Sequence, residues 1–553
     1  MKNVKTKRKL ISFISVLMAA LLCLQACSSI GGSDTDRAGA DEGSLDSSKL
    51  LRITSEEPDT GDPQCTEDDY DIALNVFDRL VETKVDADRK TSFEPSLAES
   101  WDISDDGLVY TFHLREGVKF SNGAPLTSED VEYTLIRAIT HPDSYSSDIA
   151  EFIKGFDELS EGKTEKLEGF KIIDDLDFSI TLALPDSAFL AILSIPCASI
   201  LDKETTTAAG DSFGRDPAVT VGTGPFIFEE WNEGRDLTLT ANPDCWAGAP
   251  GCDGVKIQFV IDSEAKRMMF ENGELDILDL ENLGSEAEYF IRGDIYQDRL
   301  IYGNRVGLSY IALNESVEPL NDVRVRKALQ LGLDREAILM NIFSGRGNIE
   351  NGVIPHGLLG FDPDLPEIPY DPDTAKELLA EAGYPEGFDL ELYVDDETPA
   401  FKETLRLAAS MWKKIGVRTS LKEISKDRFM EMRSEGNIPC YTGKFSVDYN
   451  DPDSIMWIFF GDSENFRARS LCYSRTDIMD RVNDACGIVN EEERIKEYRE
   501  LEKIIVQEDC AWIPLFSNQH YFVVNERVKN FEVSWNGWTN TKYRDIVIED
   551  KEQ

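Results

Sequence analysis

The stretch 441-YTGKFSVDYNDPDSIMWIFF-460 holds a run of alternating apolar residues, a turn and a second apolar run. Asp448 lies at the carboxyl end of the first run, and Asp451 and Pro452 begin the second. This order predicts a β-strand, a turn and an α-helix. Because ligands of open α/β sheets bind outside the carboxyl ends of strands, Asp448 has two interpretations. It either caps the turn or binds a cation.

Two units of helix followed by strand precede this stretch. In 371-DPDTAKELLAEAGYPEGFDLELYV-394, Asp371 is a helix N-cap, Pro372 is the first helical residue and Gly383 ends the helix. The segment 401-FKETLRLAASMWKKIGVRTSLKEI-424 repeats the pattern. Alternating helices and strands are typical of the α/β class, so we expect domains with largely parallel sheets.

An amphipathic strand and a capped helix are predicted in the N-terminal half. The segment 109-VYTFHLREGVKF-120 alternates with a period of two, which is typical of a half-buried strand with His113 on its solvent face. The segment 127-TSEDVEYTLIRAIT-140 begins with Thr127 and Asp130, the pattern of a capping box.

Length and charge limit the function. The chain has 553 residues, too many for one core, and two or three domains are expected. Its net charge of −48 repels phosphate backbones, so nucleic acid is not expected as a partner.

The N-terminus resembles the signal of a bacterial lipoprotein. The basic MKNVKTKRK precedes the apolar LISFISVLMAALL and then 24-LQAC-27. The resemblance implies a signal peptide over 1–26 and acylation of Cys27; the alternative is an ordinary secretory signal. Residues 27–49 are rich in Ser, Gly and Asp and predict a flexible tether. Localisation at the cell membrane, on its extracytoplasmic face, follows.

The cysteines and histidines do not form a metal motif. Cys245 and Cys252 flank a Gly/Pro turn and are the most plausible local disulfide among many pairings. No Cys-x-x-Cys is present, so zinc is not expected. The chain has no nucleophile elbow and no dinucleotide fingerprint either. We therefore expect neither an enzyme nor a cofactor.

Five blocks in order resemble one protein family. They are 95-PSLAESWDISDDGLVYTFHLREGVKFSNGAPLTSEDV-131, 222-GTGPFIFEEW-231, 321-NDVRVRKALQLGLDREAI-338, 374-TAKELLAEAGY-384 and 448-DYNDP-452. Together they resemble the extracellular oligopeptide-binding proteins of bacterial ABC importers, which are peptide/nickel-type solute-binding proteins of family 5. The resemblance extends from Leu50 to the C-terminus.

This resemblance implies a two-lobed α/β fold of the periplasmic-binding-protein type (class II), with an extra inserted domain and a ligand cleft between the lobes. Lobe one is expected at 50–92, 219–308 and 516–553, the inserted domain at 93–218 and lobe two at 309–515. The chain crossings near Tyr310 and Phe516 are expected to form a hinge.

The resemblance also implies a set of ligand contacts. In peptide-binding members the acid matched by Asp448 pairs with the ligand's α-ammonium group. The expected contacts are Asp448, Phe445, Ser446, Val447, Tyr449 and Trp457, together with Cys65, Thr66 and Glu67 across the cleft. Relatives usually have Gly-Trp where this chain has Lys444-Phe445.

A cation that meets the peptide's carboxylate in one subgroup corresponds to Thr442, which cannot form that ion pair. Lys402, Arg433 or Arg346 are candidate replacements. The expected protein is thus a monomeric, lipid-anchored receptor that captures oligopeptides and delivers them to the permease subunits of an ABC transporter. The alternatives are a receptor for a dipeptide or an oligosaccharide, with Phe445, Trp457 or Trp412 stacking on sugars, and a peptide-sensing lipoprotein.

Overall fold

The computed structural model describes residues 49–66, 69–86, 91–281, 283–461, 463–536 and 541–549. The described residues form one compact unit. The predicted signal peptide, Cys27, almost all of the tether and Glu67 lie outside the described residues. Within them, every helix is too short or too polar to cross a bilayer.

Helices and strands alternate along much of the chain. The strands are β1 (Leu50–Ser55), β2 (Val81–Val85), β3 (Thr91–Pro95), β4 (Ala98–Ile103), β5 (Val109–Leu114), β6 (Phe170–Ile172), β7 (Asp177–Thr181), β8 (Phe226–Asn232), β9 (Asp236–Ala241), β10 (Gly254–Phe259), β11 (Ile277–Asp279), β12 (Leu300–Asn304), β13 (Gly307–Leu313), β14 (Gly347–Ile349), β15 (Asp389–Asp395), β16 (Arg418–Ile424), β17 (Cys440–Ser446), β18 (Trp512–Val524), β19 (Val528–Lys529) and β20 (Val547–Ile548). The α-helices are α1 (Asp71–Val76), α2 (Ser128–Thr140), α3 (Phe156–Ser160), α4 (Phe189–Ile192), α5 (Lys203–Ala209), α6 (Ser263–Glu271), α7 (Ser285–Arg292), α8 (Val323–Leu331), α9 (Arg335–Phe343), α10 (Pro372–Glu381), α11 (Pro399–Trp412), α12 (Lys426–Ser434), α13 (Asp453–Phe460), α14 (Ser463–Ala468), α15 (Thr476–Cys486) and α16 (Glu491–Lys503).

The first sheet has the order β1-β10-β9-β8. Its strands β1 and β10 are parallel, and the other pairs are antiparallel. The side chains on its inner face, such as Leu51, Phe226 and Val255, form a core with the C-terminal residues Tyr543 and Ile546.

A separate antiparallel sheet has the order β4-β5-β7-β6. Its inner face stacks Phe112 on Phe178 and Phe178 on Phe170, with ring centroids 5.3 and 5.1 Å apart. The predicted half-buried strand is confirmed at Val109–Leu114. The predicted capping box of α2, formed by Thr127 and Asp130, is confirmed as well.

The largest sheet has the order β11-β18-β13-β17-β15-β16, and β12 and β14 also pair with β18. Only the pairs β15–β16 and β15–β17 are parallel among the described strands of this sheet. The expectation of largely parallel sheets is therefore wrong. The long strand β18 returns beside β13 from the far end of the chain, and it runs antiparallel to all of its partners.

The two predicted hinge segments lie side by side. Ser309 pairs with Phe516 and Tyr310 with Pro514, and the register shifts between Ser309 and Tyr310. Such an irregularity breaks the hydrogen-bond ladder locally. The hinge and the lobe boundaries stay predictions.

The expected disulfide is wrong. Cys245 and Cys252 are both free thiols and both buried, as are most of the other described cysteines. Cys252 packs into the hydrophobic core of the first sheet.

Candidate ligand-binding site

The turn between β17 and α13 presents Asp448. Strand β17 ends at Ser446 and α13 begins at Asp453, as the sequence predicts. The backbone N–H of Asp453 donates to Oδ1 of Asp451 at 3.0 Å, so Asp451 caps this turn. No hydrogen bond or ion pair joins Asp448 to any other described residue. The turn-capping interpretation of Asp448 therefore has no support in its contacts.

Asp448 lines a cavity of about 660 Å³. Four acidic side chains and two lysines share this wall; they are Glu82, Asp448, Glu532, Asp545, Lys84 and Lys542. Both lysines are already paired, Lys84 with Glu94 at 2.6 Å and Lys542 with Glu82. The surplus of negative charge favours a cationic group in the cavity.

The raised pKa of the Asp448 carboxyl is consistent with a site for a cation. Although its side chain is open to the cavity, the surrounding protein reduces its hydration and raises the pKa of its carboxyl to about 7. The negative charge of Asp148 raises this pKa further. A ligand ammonium would stabilise the ionised form.

A second cavity, of about 550 Å³, lies along the same strand. It is lined by Thr442 and Lys444 of β17 and by Ser309 of β13, which pairs with Lys444. The hydroxyl of Thr442 donates to the backbone carbonyl of Tyr310 in the neighbouring strand β13 at 2.9 Å.

Lys444 lines the second cavity, although the sequence analysis does not include it among the expected ligand contacts. Its Nζ lies 3.7 Å from Oε1 of Glu281, whose Oε2 accepts a shorter bond of 2.8 Å from Arg305. Burial, followed by the positive charge of Arg305, lowers the pKa of the Lys444 ammonium. Alternation along β17 is the signal that places Lys444 on the same face as Thr442.

The outer edge of β17 has no strand partner over most of its length in the described structure. Strand β15 pairs with β17 only at Tyr393 and Tyr441. On the inner edge, the N–H of Val447 donates to the carbonyl of Val306 at 3.2 Å. Because hydrogen-bonded and non-bonded pairs alternate in antiparallel strands, the backbone groups of Lys444 and Ser446 point to the outer edge.

The other expected contacts of lobe two do not line either cavity. Phe445 packs edge-on against Phe459 at 5.2 Å, and Val447 is fully buried. The hydroxyl of Tyr449 donates to Oδ2 of Asp453 at 3.2 Å. Trp457 instead donates to Asn483 and meets the ring of Phe152 at 6.2 Å, in the body of the separate antiparallel sheet.

The two described residues that were expected to contact the ligand across the cleft, Cys65 and Thr66, contact their own neighbours. Sγ of Cys65 lies 3.6 Å from Nδ1 of His141, and burial raises the pKa of its thiol to about 12. Thr66 is buried, and its hydroxyl donates to Asp59 at 2.8 Å. Neither residue lines the two cavities.

Of the three candidate carboxylate partners, Arg346 alone lines the second cavity among the residues described. It bonds Glu288 at 2.6 Å and lies over the ring of Tyr521. Lys402 pairs with Glu423 at 2.5 Å outside both cavities. Arg433 lies near Tyr310 and Tyr441, also outside them.

The chain matches known proteins over most of its length. Residues 92–467 match the family model described as bacterial extracellular solute-binding proteins, family 5 Middle. Heme-binding protein A of Haemophilus influenzae is 29% identical over 536 residues, which are 93% of this chain and 95% of that protein. The dipeptide-binding protein of Escherichia coli is 27% identical over 492 residues, 84% of this chain and 88% of that protein.

A solved structure, that of HbpA2 from Haemophilus parasuis, superposes with a TM-score of 0.78 at 27% identity. The match covers 90% of this chain and 99% of that one. The two-lobed, periplasmic-binding-protein-like fold implied by the resemblance is confirmed.

Proposed function

The chain belongs to family 5 of the bacterial extracellular solute-binding proteins, and on that premise we propose that it is a lipid-anchored receptor for oligopeptides. As a solute-binding protein it serves an ABC importer outside the cytoplasm and is not an enzyme.

One observation carries the choice of solute. Among the described residues Asp448 has no hydrogen-bond or ion-pair partner, and it lines a cavity with surplus negative charge whose surroundings reduce its hydration. The α-ammonium group is common to all peptides, so an acid here binds one end of the ligand and ignores its side chains. Losing one partner of a buried ion pair costs about 3–5 kcal/mol.

The outer edge of β17 supports the same solute. Lys444 and Ser446 present backbone N–H and C=O groups there, and an extended peptide can add to them as a further strand. Such pairing is independent of the ligand's sequence. The edge begins immediately before Asp448, so a peptide with its amine at Asp448 lies along it.

We further propose that Cys27 is acylated and holds the mature protein at the membrane. The motif 24-LQAC-27 and the polar segment that follows support this anchor. Replacing Cys27 with Ser should abolish incorporation of labelled fatty acid and leave ligand binding unchanged. Continued labelling of Cys27→Ser would contradict the anchor.

Haem is the second candidate solute, because a relative covering almost the whole chain is named heme-binding protein A. Haem presents two carboxylates and no ammonium group. It would therefore gain nothing from Asp448.

The solute is tested by calorimetric titration of the full-length protein, purified in detergent and freed of co-purified ligand. We expect mixed tri- to hexapeptides to bind, with N-acetylated copies at least about a hundredfold weaker. We expect no binding of haemin or cello-oligosaccharides. Binding of either one without binding of peptides would overturn the proposal.

A further inference from the structure

A third cavity, of about 630 Å³, lies in the part of the chain expected to form lobe two. Its wall consists of the junction between α8 and α9, the loop that follows β14 and the end of α16. The described residues that line it differ from those of the cavities lined by Asp448 and Lys444. Binding sites for small molecules have volumes of about 300–1,000 Å³. This cavity is therefore large enough for a ligand of its own.

Glu502, near the C-terminal end of α16, lines this cavity and is only 1% exposed. Its Oε1 accepts a hydrogen bond of 2.6 Å from the N–H of Ile354, whereas no described residue donates to its Oε2. A side chain at Gly352 would clash with Oε1, so this glycine leaves room for the carboxyl group. A buried acceptor without a donor is costly. Oε2 is therefore a position for a donor from a ligand.

The pKa of Glu502 shows which donor would stabilise it most. Burial raises the pKa of its carboxyl to about 8, although the N–H groups of Ile354 and Val353 oppose the shift. The negative charges of Glu350 and Asp362 raise this pKa further. An ammonium group beside Oε2 would stabilise the ionised form and donate the hydrogen bond that the protein does not supply.

The charge of the wall also favours a cation. One guanidinium, that of Arg335, and the imidazole of His356 face five carboxyl groups, and no ion pair links any of the five to another described residue; they are Asp334, Glu336, Asp362, Glu367 and Glu502. Glu336 and Glu367 are exposed, whereas Glu502 is buried. Negative charge is thus found both at the mouth of the cavity, formed by Glu336 and Glu367, and at its base, formed by Glu502.

Arg335 binds the protein itself. Its guanidinium donates to the carbonyl of Ile368 at 2.8 Å and to Oδ1 of Asn351 at 2.9 Å, and also to the carbonyls of Glu350 and Pro514. These bonds hold the loop that follows β14 in place. Arg335 therefore shapes the cavity, and its single charge leaves the wall with surplus negative charge.

Much of the remaining wall is apolar. The ring of Phe361 lies 4.0 Å from that of His356. The apolar side chains are Leu333, Ile349, Ile354, Phe361, Leu365 and Ile368. Such a wall favours a hydrocarbon chain. A linear aliphatic diamine combines a hydrocarbon chain with one ammonium group at each end.

We propose that this cavity is a second solute site, which binds a linear aliphatic diamine with one ammonium group on Glu502 and the other at the mouth formed by Glu336 and Glu367. The site lies apart from the cavity of Asp448, so the inference does not depend on the proposed oligopeptide function.

The test is calorimetric titration of the full-length protein with three ligands of equal chain length, 1,5-diaminopentane, 1-aminopentane and 1,5-pentanediol. We expect the diamine to bind and the diol not to bind. The monoamine should bind about 2- to 5-fold more weakly than the diamine, because it lacks the exposed ion pair at the mouth. No binding of the diamine, or equal binding of the diol, would overturn the site, and equal binding of the monoamine would overturn the role of the mouth.

Glu502→Gln should bind the diamine about 10- to 100-fold more weakly, because it removes a charge-assisted hydrogen bond at the base. Glu500→Gln is the matched control. It removes the same charge from the same helix, but Glu500 is exposed and pairs with Arg481 at 3.7 Å outside the cavity. It should keep the wild-type affinity. Equal affinities of Glu502→Gln and Glu500→Gln for the diamine would contradict the proposal, and the wild-type ligand series tests it even if Glu502→Gln does not fold.

Asp448→Asn distinguishes this cavity from the other acidic one. It should bind the diamine as the wild type does. Loss of affinity in Asp448→Asn, with wild-type affinity in Glu502→Gln, would place the diamine beside Asp448 and overturn the proposal. A protein that binds peptides and not the diamine would lack the second site and keep the proposed function.

Discussion

At the scale of single residues, Asp448 is a carboxylate whose surroundings destabilise its negative charge. The protein around the cavity removes hydration, Asp148 adds repulsion, and no described cation offsets either effect. The ionised carboxyl is therefore destabilised in the ligand-free protein, and a bound cation would stabilise it. Its pKa of about 7 turns this into a dependence on pH.

Affinity for free peptides should rise with pH and level off above about 7. Below that pKa Asp448 is protonated in the free protein, and a ligand ammonium must displace the proton, at a cost of about tenfold in affinity per pH unit. Calorimetry between pH 5.5 and 7.5 measures the slope. Asp448→Asn should bind weakly and without it; a flat wild-type profile would contradict the account.

The sequence predicts Asp448 better than Lys444, for a physical reason. Asp448 ends an apolar run, so its place at a strand end is a local property. The significance of Lys444 depends on Glu281 and Arg305, which approach it from more than a hundred residues away. Such a cluster exists only after folding.

At the scale of elements, the edge of β17 carries the second part of the account. Both residues pair with β13, Ser446 with Gly307 and Phe445 with Leu308. Because hydrogen-bonded and non-bonded pairs alternate, the backbone N–H of Ser446 faces the outer edge and that of Phe445 faces β13. Replacing either residue with proline removes one backbone N–H, and we expect the two replacements to affect different properties.

Ser446→Pro should weaken peptide binding about 2- to 10-fold, the worth of one hydrogen bond, with little change in thermal stability. Phe445→Pro should lower the unfolding temperature, because it removes an N–H of the ladder with β13. Calorimetric titration and thermal unfolding measure the two effects. Wild-type affinity in Ser446→Pro would show that the ligand does not use this edge.

Local signals predict single elements well and sheet order poorly. Asp371 and Pro372 begin α10 as expected, and Asp371 accepts a hydrogen bond from the N–H of Thr374. The partners of β18 cannot be read from the sequence, because they come from four separate segments of the chain. The expectation of largely parallel sheets is wrong because β18 runs antiparallel to each of these partners.

At the scale of the whole molecule, a cluster of buried acidic residues lies between the sheet β4-β5-β7-β6 and the largest sheet. Asp186, beside the sheet β4-β5-β7-β6, meets Asp451, Asp453 and Arg494 beside the large sheet. All four are almost fully buried, and Oδ2 of Asp186 accepts no hydrogen bond from any described residue. Tyr449, Cys486 and Tyr498 surround Asp453, and Tyr110 donates to the backbone of Asp186.

Asp186→Asn should stabilise the protein at pH 8 more than at pH 5. Burial, and then the charge of Asp453, raise the pKa of Asp186, so the folded state binds more protons than the unfolded state. The wild type therefore loses stability as pH rises above the unfolded pKa of about 4. We expect the unfolding temperature to rise by at least about 2 °C at pH 8.

Asp105→Asn is the control for this prediction, since Asp105 is exposed on the same sheet body. It should leave the unfolding temperature unchanged at both pH values. A destabilised Asp186→Asn at pH 8 would mean that the ionised carboxylate stabilises the contact.

The central claim is that Asp448 holds the ligand's amine. Its most direct test is one calorimetric cycle that combines wild type and Asp448→Asn with a free and an N-acetylated tripeptide. Asp389→Asn is the control, because Asp389 is exposed on β15 and pairs with Arg418. The account predicts that acetylation costs the wild type and Asp389→Asn at least about a hundredfold and costs Asp448→Asn almost nothing. Equal losses in the wild type and in Asp448→Asn would contradict it and move the anchor elsewhere.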